Sequence, residues 1–282
     1  MHALPSIPLR FFARLPLSFL HALGFVLGWA MYGTSPTYRR HFRDNLALAG
    51  CGDARTRRAA VAEAGKMLAE LPALWFRPHA EVASWVREVR GAEAAEAARA
   101  RGEALLFLTP HLGSFEITAQ YAAERIPITV LYRAPKIAWL EPLMREGRER
   151  PNVRLVNADL AGVREIFATL GRGGAVGLLP DQVPGEGEGE WCEFFGKPAF
   201  TMTLAGRLAA RPNVAPFLAY AKRLPRGAGF SIVLQPLPRP QPGESAARSL
   251  NRALEALIRE CPEQYLWGYN RYKTPAGARP AA

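Results

Sequence analysis

Apolar and polar positions alternate in blocks along most of this chain. Six short apolar runs, at 104–109, 127–132, 153–156, 175–180, 213–219 and 230–236, have strand length and no helical period. Between them, 114–124, 138–149, 159–171, 201–211 and 245–260 carry apolar residues three and four apart, which predicts helices. Short buried strands separated by helices predict an α/β fold, with a mixed, largely parallel central sheet covered by helices on both faces. Upstream, 54–76 predicts an amphipathic helix and 92–101 an alanine-rich one. Trp75, Phe76, Trp85 and Val86 form an aromatic patch that belongs to the core or faces a membrane. Pro and Gly cluster at 184–189 and 236–243, which predicts loops, and again in the tail at 275–282.

The pattern changes at the N-terminus. Leu15 to Tyr32 is an 18-residue stretch with no Lys, Arg, Asp or Glu, and Gly24 and Gly28 share one face of it. As a helix it would measure about 27 Å, slightly less than the roughly 30 Å hydrocarbon core of a bilayer. Arg10 and Arg14 precede it and Arg39, Arg40 and Arg43 follow, so charge does not set an orientation. Membrane attachment is the expectation, as a tilted span or as a helix lying in one leaflet. The alternatives are a cleaved signal ending near Ala47-Leu48-Ala49 and an ordinary buried helix. The expected organisation is a membrane anchor with its basic flank at 1–45, a main α/β domain at 46–274 and a disordered tail at 275–282. The first 33 residues are expected to hold the membrane and supply little of the core of that domain.

The formal net charge of +11 suggests nucleic acid, an anionic membrane or phosphorylated substrates as partners. Much of the excess is N-terminal, where residues 1–60 hold eight arginines against Asp44 and Asp53. Cys51, Cys192 and Cys261 are odd in number and widely spaced, which suggests neither a disulfide framework nor a metal site. No glycine-rich phosphate-binding motif follows a strand.

The most informative residues end the first of the six strands. Thr109-Pro110-His111-Leu112-Gly113-Ser114-Phe115-Glu116 delivers a histidine at a strand end, then a Gly-Ser turn, then a helix. Histidine is the usual general base near neutral pH. Ser114 is placed to cap the helix, which puts Glu116 in its first turn. Glu116 would then orient His111 and balance its charge. A core histidine beside a first-turn glutamate is the alternative. Two further strand ends carry chemistry: Arg133 and Lys136 close one, and Asp181 and Gln182 close another. Open α/β sheets bind ligands at the carboxyl ends of their strands, so these groups converge on one rim, with Arg133, Lys136, Asp181 and Gln182 as candidate substrate-binding residues. Taken singly, Arg133 and Lys136 also read as a solvated pair, and Asp181 as a turn residue after Pro180.

The segment Thr109 to Glu116, Tyr132-Arg133, Asp181-Gln182-Val183-Pro184 and Phe194-Phe195-Gly196-Lys197-Pro198-Ala199 together resemble the lipid A biosynthesis acyltransferases. Arg43-Asp44-Asn45-Leu46 and Asn270-Arg271-Tyr272-Lys273 extend the resemblance over most of the chain. It implies a fold similar to glycerol-3-phosphate acyltransferases and a catalytic pair matching His111 and Glu116. It implies an acyl–acyl-carrier-protein or acyl-CoA co-substrate, with no further cofactor and no metal. The implied partners are acyl carrier protein, an anionic glycolipid acceptor and the bacterial inner membrane, with the active domain on its cytoplasmic side, and no nucleic acid. Many members have Asn-Trp where this chain has Ser114-Phe115, which bears on substrate preference more than on chemistry. Under this resemblance His111 takes a proton from the acceptor hydroxyl. Backbone N–H groups near Gly113, a helix N-terminus or Arg133 would stabilise the oxyanion. Arg133, Lys136, Lys197 and Arg207 are candidates for the acceptor's anionic groups. A relative acylating another glycolipid, a lysophospholipid or an aryl-polyene lipid stays open, as does a noncatalytic protein that binds anionic lipid.

Overall fold

Alternating burial on both faces of the strands builds the core. A computed structural model describes residues 6–135 and 137–278, so Lys136 lies outside the described residues. Helices α1 (Ser6–Ala13), α2 (Leu17–Thr34), α3 (Pro36–Leu48), α4 (Ala54–Phe76) and α5 (His79–Ser84) precede the sheet. Then follow β1 (Val86–Arg90), α6 (Ala92–Ala100), β2 (Ala104–Leu108), α7 (Phe115–Ala123), β3 (Ile128–Tyr132), α8 (Glu141–Arg148), β4 (Val153–Asn157), α9 (Leu160–Gly171) and β5 (Ala175–Leu178). A hairpin, β6 (Gly189–Phe194) and β7 (Lys197–Met202), leads to α10 (Leu204–Ala209), β8 (Val214–Arg223), β9 (Phe230–Pro236) and α11 (Ala246–Glu260).

Seven strands form the sheet in the order β1-β9-β8-β2-β5-β3-β4. From β8 to β4 neighbouring strands run parallel, whereas β9 is antiparallel to β8 and β1 is parallel to β9. The mixed, largely parallel sheet expected from the apolar runs is present. Every residue of β2 is buried. Leu106 and Leu108 face the core shared with α9 and α11, while Leu105 and Phe107 face the one shared with α6.

Three elements differ from the sequence expectation. β1 (VREVR) carries three charges among five residues and lies at the sheet edge, where charge discourages pairing with another chain. The predicted helix at 201–211 starts only at Leu204, because Thr201 and Met202 complete β7. The β6–β7 turn is Phe195-Gly196, both with positive φ (49° and 75°), as a two-residue hairpin turn of matching twist requires. The aromatic patch is core: Trp75 is buried, and Phe76, Trp85 and Val86 pack around it and Val82.

The N-terminal helix, expected to attach to a membrane, packs along α4 on one side. α2 lies along α4, and its buried residues are Leu17, Leu20, His21, Gly24 and Gly28. His21 Nε2 is 2.9 Å from Glu70 Oε2, and Glu70 accepts two bonds of 2.8 Å from Arg223. Arg223 also donates to Glu63 at 2.8 Å. Burial opposes ionisation of Glu70, but the Arg223 charge and its hydrogen bonds outweigh it and hold the carboxyl at about 2. Asn45 of α3 donates to the carbonyls of Trp267 (2.7 Å) and Tyr269 (2.9 Å), tying the N-terminal helices to the C-terminal segment.

Candidate active site

β2 and β5 are neighbours in parallel register, with Leu108 opposite Leu178. His111 and Asp181 each lie three residues beyond that pair, on strands spaced about 4.8 Å apart. Their side chains therefore meet. His111 Nδ1 is 2.8 Å from Asp181 Oδ1, and the His111 backbone N–H donates to Asp181 Oδ2 at 3.0 Å. Gln182 Nε2 lies 3.1 Å from His111 Nε2. With Asp181 accepting from Nδ1–H, Nε2 carries the lone pair, and the Gln182 amide donates to it. The Asp181-Gln182 dipeptide thus grips both ring nitrogens. Asp181 is buried, which works against its charge, but His111 more than offsets this and holds the carboxyl below its ordinary range. Burial, reinforced by the Asp181 charge, pushes the Tyr265 hydroxyl well above its usual value, so it stays protonated as a hydrogen-bond partner of Asp181.

The turn after His111 is held by backbone bonds. Gly113 N–H donates to the Gln264 carbonyl (2.9 Å), Ser114 N–H to the Ala221 carbonyl (2.8 Å), and Leu266 N–H to the His111 carbonyl (3.1 Å). Gly113 has a φ of +63°, and a Cβ there would stand 2.0 Å from the Ala221 oxygen. Gly113→Ala is therefore expected to displace His111 and lower kcat about 10²-fold, the scale of a 1 Å misplacement, with Tm also reduced. Steady-state kinetics and a melting curve check this. These same bonds commit the Gly113 and Ser114 amides, which removes the expected oxyanion donor at Gly113. Ser114 precedes α7 as its cap residue, but its side chain makes no capping bond.

Glu116 is in the first turn of α7 and buried, as expected, but its partner is not His111. Both carboxylate oxygens accept from Arg148 Nε at 3.0 Å, and Arg148 Nη2 donates as well. Burial works against the charge on Arg148, and Glu116 outweighs it and keeps the guanidinium ionised. Arg148 also lies over the Tyr132 ring, 5.6 Å from its centroid. The carboxylate bonded to His111 is Asp181, seventy positions away, while Glu116 is bonded to Arg148.

Beside the histidine opens a cavity of about 630 Å³. Thr109, Phe115, Glu116, Tyr132 and Arg148 line it near the strand ends, and the Phe115 ring lies 4.7 Å from that of His111. Leu105, Phe107, Ile128, Val130 and Gly177 wall it along the sheet, with α6 and α7 on the other side. From Tyr132 to Ile128 it follows β3 for about 13 Å.

The remaining expected cations are spread out. Arg133 is exposed on the rim and lies 3.4 Å from Glu188. Lys197 sits over the Tyr272 ring (5.0 Å) and Arg207 over that of Phe167 (5.9 Å), and neither lines the cavity. The loop at 185–188, which alternates Gly and Glu, is a closed turn, with Glu188 accepting from the Gly185 N–H at 2.8 Å. Burial raises the thiols of Cys51, Cys192 and Cys261 above their ordinary value, so none is poised as a nucleophile. Among the described residues no group of three or more His, Cys, Asp and Glu could hold a metal ion.

The residues missed from sequence are Arg148, Tyr265 and Gln264. The signal available in the sequence was only that His111 and Asp181 each follow the end of a predicted strand. Nothing local marks Arg148, whose role comes from the packing of α8 beside α7.

The sequence model of the bacterial lipid A biosynthesis acyltransferase family matches residues 4–274. The lipid A biosynthesis palmitoleoyltransferase of Escherichia coli K12 is 27% identical over 217 residues, covering 76% of this chain and 70% of that protein. The lauroyltransferase of the same organism is 27% identical over 217 residues, covering 74% and 69%. A lipid A biosynthesis acyltransferase of Haemophilus influenzae is 22% identical over 188 residues, covering 64% and 57%. A match across nearly the whole chain, on a fold that sets a doubly held histidine beside an apolar cavity, makes this chain a member of the bacterial lipid A biosynthesis acyltransferases.

Proposed function

We propose that the protein moves a fatty acyl chain from an acyl-carrier-protein or coenzyme A thioester to a hydroxyl of a lipid A precursor, at the cytoplasmic face of the inner membrane. The observation that carries this reading is His111, held through both nitrogens by Asp181 and Gln182 at the edge of an elongated apolar cavity. The acyl chain lies in the cavity, which places its thioester carbonyl near Thr109, Phe115 and His111. The acceptor hydroxyl displaces the Gln182 amide from His111 Nε2. Nε2 takes the hydroxyl proton as the oxygen bonds to the carbonyl carbon. Asp181 keeps Nδ1 protonated and stabilises the imidazolium. The tetrahedral oxyanion draws on the Gln182 amide and the first-turn N–H groups of α7. When the C–S bond breaks, the thiolate leaves with the proton from Nε2. No acyl-enzyme is needed, in keeping with the raised cysteine thiols.

Arg133, and Lys136 beside it in sequence, remain the cations proposed for the acceptor's anionic groups, because Arg133 ends a strand two places from β2 on the His111 rim. Lys197 and Arg207 have less support, being engaged on rings outside the cavity.

Gly177 supplies the test. It is buried in the cavity wall, and a Cβ there would touch Ile128 and Val130 at only 3.4 and 3.6 Å, ordinary contacts. Gly177→Leu therefore directs its side chain into the cavity, with a melting curve to check that the wall is kept. Purified full-length chain in micelles is given short- and long-chain acyl-carrier-protein donors and a lipid A precursor, with lysophospholipid and other glycolipid acceptors in parallel. Mass spectrometry is expected to show the precursor acylated, with long-chain transfer lost in Gly177→Leu and short-chain transfer kept. Equal loss for all chain lengths would place the acyl chain elsewhere. Transfer to another acceptor alone would reassign the substrate, and no transfer to any would favour a noncatalytic lipid-binding role.

A further inference from the structure

We infer that α2 does not cross the bilayer but lies in its plane, half-submerged in one leaflet of anionic lipid, as a built-in part of the catalytic body. This rests on the membrane location given in the proposed function.

One side of α2 is sealed to the protein from end to end. At its start, Arg77 donates to the Leu15 carbonyl at 2.7 Å, and the Gly227 turn meets Leu17 and Ser18 so closely that a Cβ there would stand 2.4 Å from the Ser18 nitrogen. One turn on, His21 enters the Glu70–Arg223 pair. In the middle, Gly65 of α4 fits against Gly24 and Gly28: a Cβ on Gly65 would lie 1.9 Å from the Gly24 oxygen and 2.3 Å from the Gly28 nitrogen. Near its end, Tyr32 packs edge-on against Phe42 of α3 at 5.6 Å.

The opposite side is bare and apolar: Phe19, Leu23, Phe25, Val26, Leu27 and Trp29 are all exposed. Phe11 and Phe12 of α1 continue this surface. Exposed Arg14, Arg40 and Arg43 flank it, a charge pattern complementary to anionic headgroups.

A span would put the midpoint of α2, near Gly24, at the bilayer centre. Directly behind Gly24 and His21 stand Glu63, Lys66, Glu70 and Arg223, joined by ion pairs of 2.6 to 2.9 Å. Crossing would drag this cluster and α4, which also carries Arg57 and Arg58, into hydrocarbon. Lying in the plane leaves the cluster in the protein and immerses only the bare face. The same cluster reaches the active-site turn, because Gln264 exchanges hydrogen bonds with the Arg223 backbone (2.7 and 3.0 Å) and accepts from Gly113.

The full-length chain, tagged at both termini, is expressed in a Gram-negative cell, and sealed membrane vesicles of both orientations are treated with protease. The in-plane helix predicts both tags cut from the cytoplasmic side only. Tags cut from opposite sides would overturn it and establish a span. Recovery of the chain in the soluble fraction, as a monomer or as a dimer through this face, would instead overturn the membrane location itself. A second measurement uses Phe19→Glu with Val26→Glu, on the bare face. The pair should shift the chain from the membrane to the soluble fraction with Tm unchanged and transfer to micelle-dispersed acceptor retained. Firm membrane retention of this variant would also count against an in-plane seat.

Discussion

Asp181→Asn will lower kcat by about 10³–10⁴-fold while the protein stays folded, because an amide can no longer fix the His111 tautomer or balance the imidazolium. Asparagine keeps the shape of the side chain and can still accept from the His111 backbone N–H. It can, however, present its NH₂ to Nδ1, which leaves the proton on Nε2 and removes the base. Gln182→Ala removes one proposed oxyanion donor, so its effect should be about 10²-fold, smaller than that of Asp181→Asn. Initial rates with acyl-carrier-protein donor, alongside circular dichroism and a melting curve, decide the matter. Near-full activity in Asp181→Asn would mean that His111 is oriented by something else. The depressed carboxyl also sets a pH expectation. A group whose folded pKa is lowered adds stability above its unfolded pKa and loses it as pH falls through the folded value. Asp181 therefore remains a charged orienter in mildly acidic solution, and its contribution fails only below the ordinary carboxylate range.

Glu116→Ala is expected to destabilise the fold by about 3 kcal/mol, near the lower end for breaking a buried pair because Arg148 keeps some solvent contact. Activity should fall by about 10²-fold, since the pair lines the cavity where the thioester is proposed to sit. Arg148→Ala should produce similar losses, and the double variant little more than either single one, as two halves of one interaction must. Replacing both by Leu and Met should recover much of the stability. A double-mutant cycle read by Tm and kcat separates this from a His111–Glu116 dyad. A dyad predicts strong coupling of Glu116 to His111, a normal Tm and an inert Arg148→Ala.

The chain's own pattern determined the strands that are buried on both faces, because a run such as Ala104–Leu108 has no other stable place to go. It also determined the long amphipathic helix α11, whose first turn is capped by Ser245. Histidine at a strand end and a glutamate in the next helix were legible for the same local reason. Edge strand β1 was not, since three of its five residues are charged and only pairing with β9 makes it a strand. The Phe194-to-Ala199 block was legible as a motif but not as a hairpin. Its form depends on distant partners: Glu255 accepts from the Phe195 N–H at 2.9 Å, and Tyr272 donates to the Phe194 carbonyl at 2.9 Å. The choice between two carboxylates for His111 was likewise tertiary. Spacing along the chain favoured Glu116, but hydrogen bonds follow spatial neighbours. Parallel register set Asp181 beside the imidazole, while the packing of α8 gave Glu116 to Arg148. The 18 uncharged residues at the N-terminus fixed a helix but not its setting. What decided that was one side of the helix, where Gly24, Gly28 and His21 meet α4 across a contact that no single segment encodes.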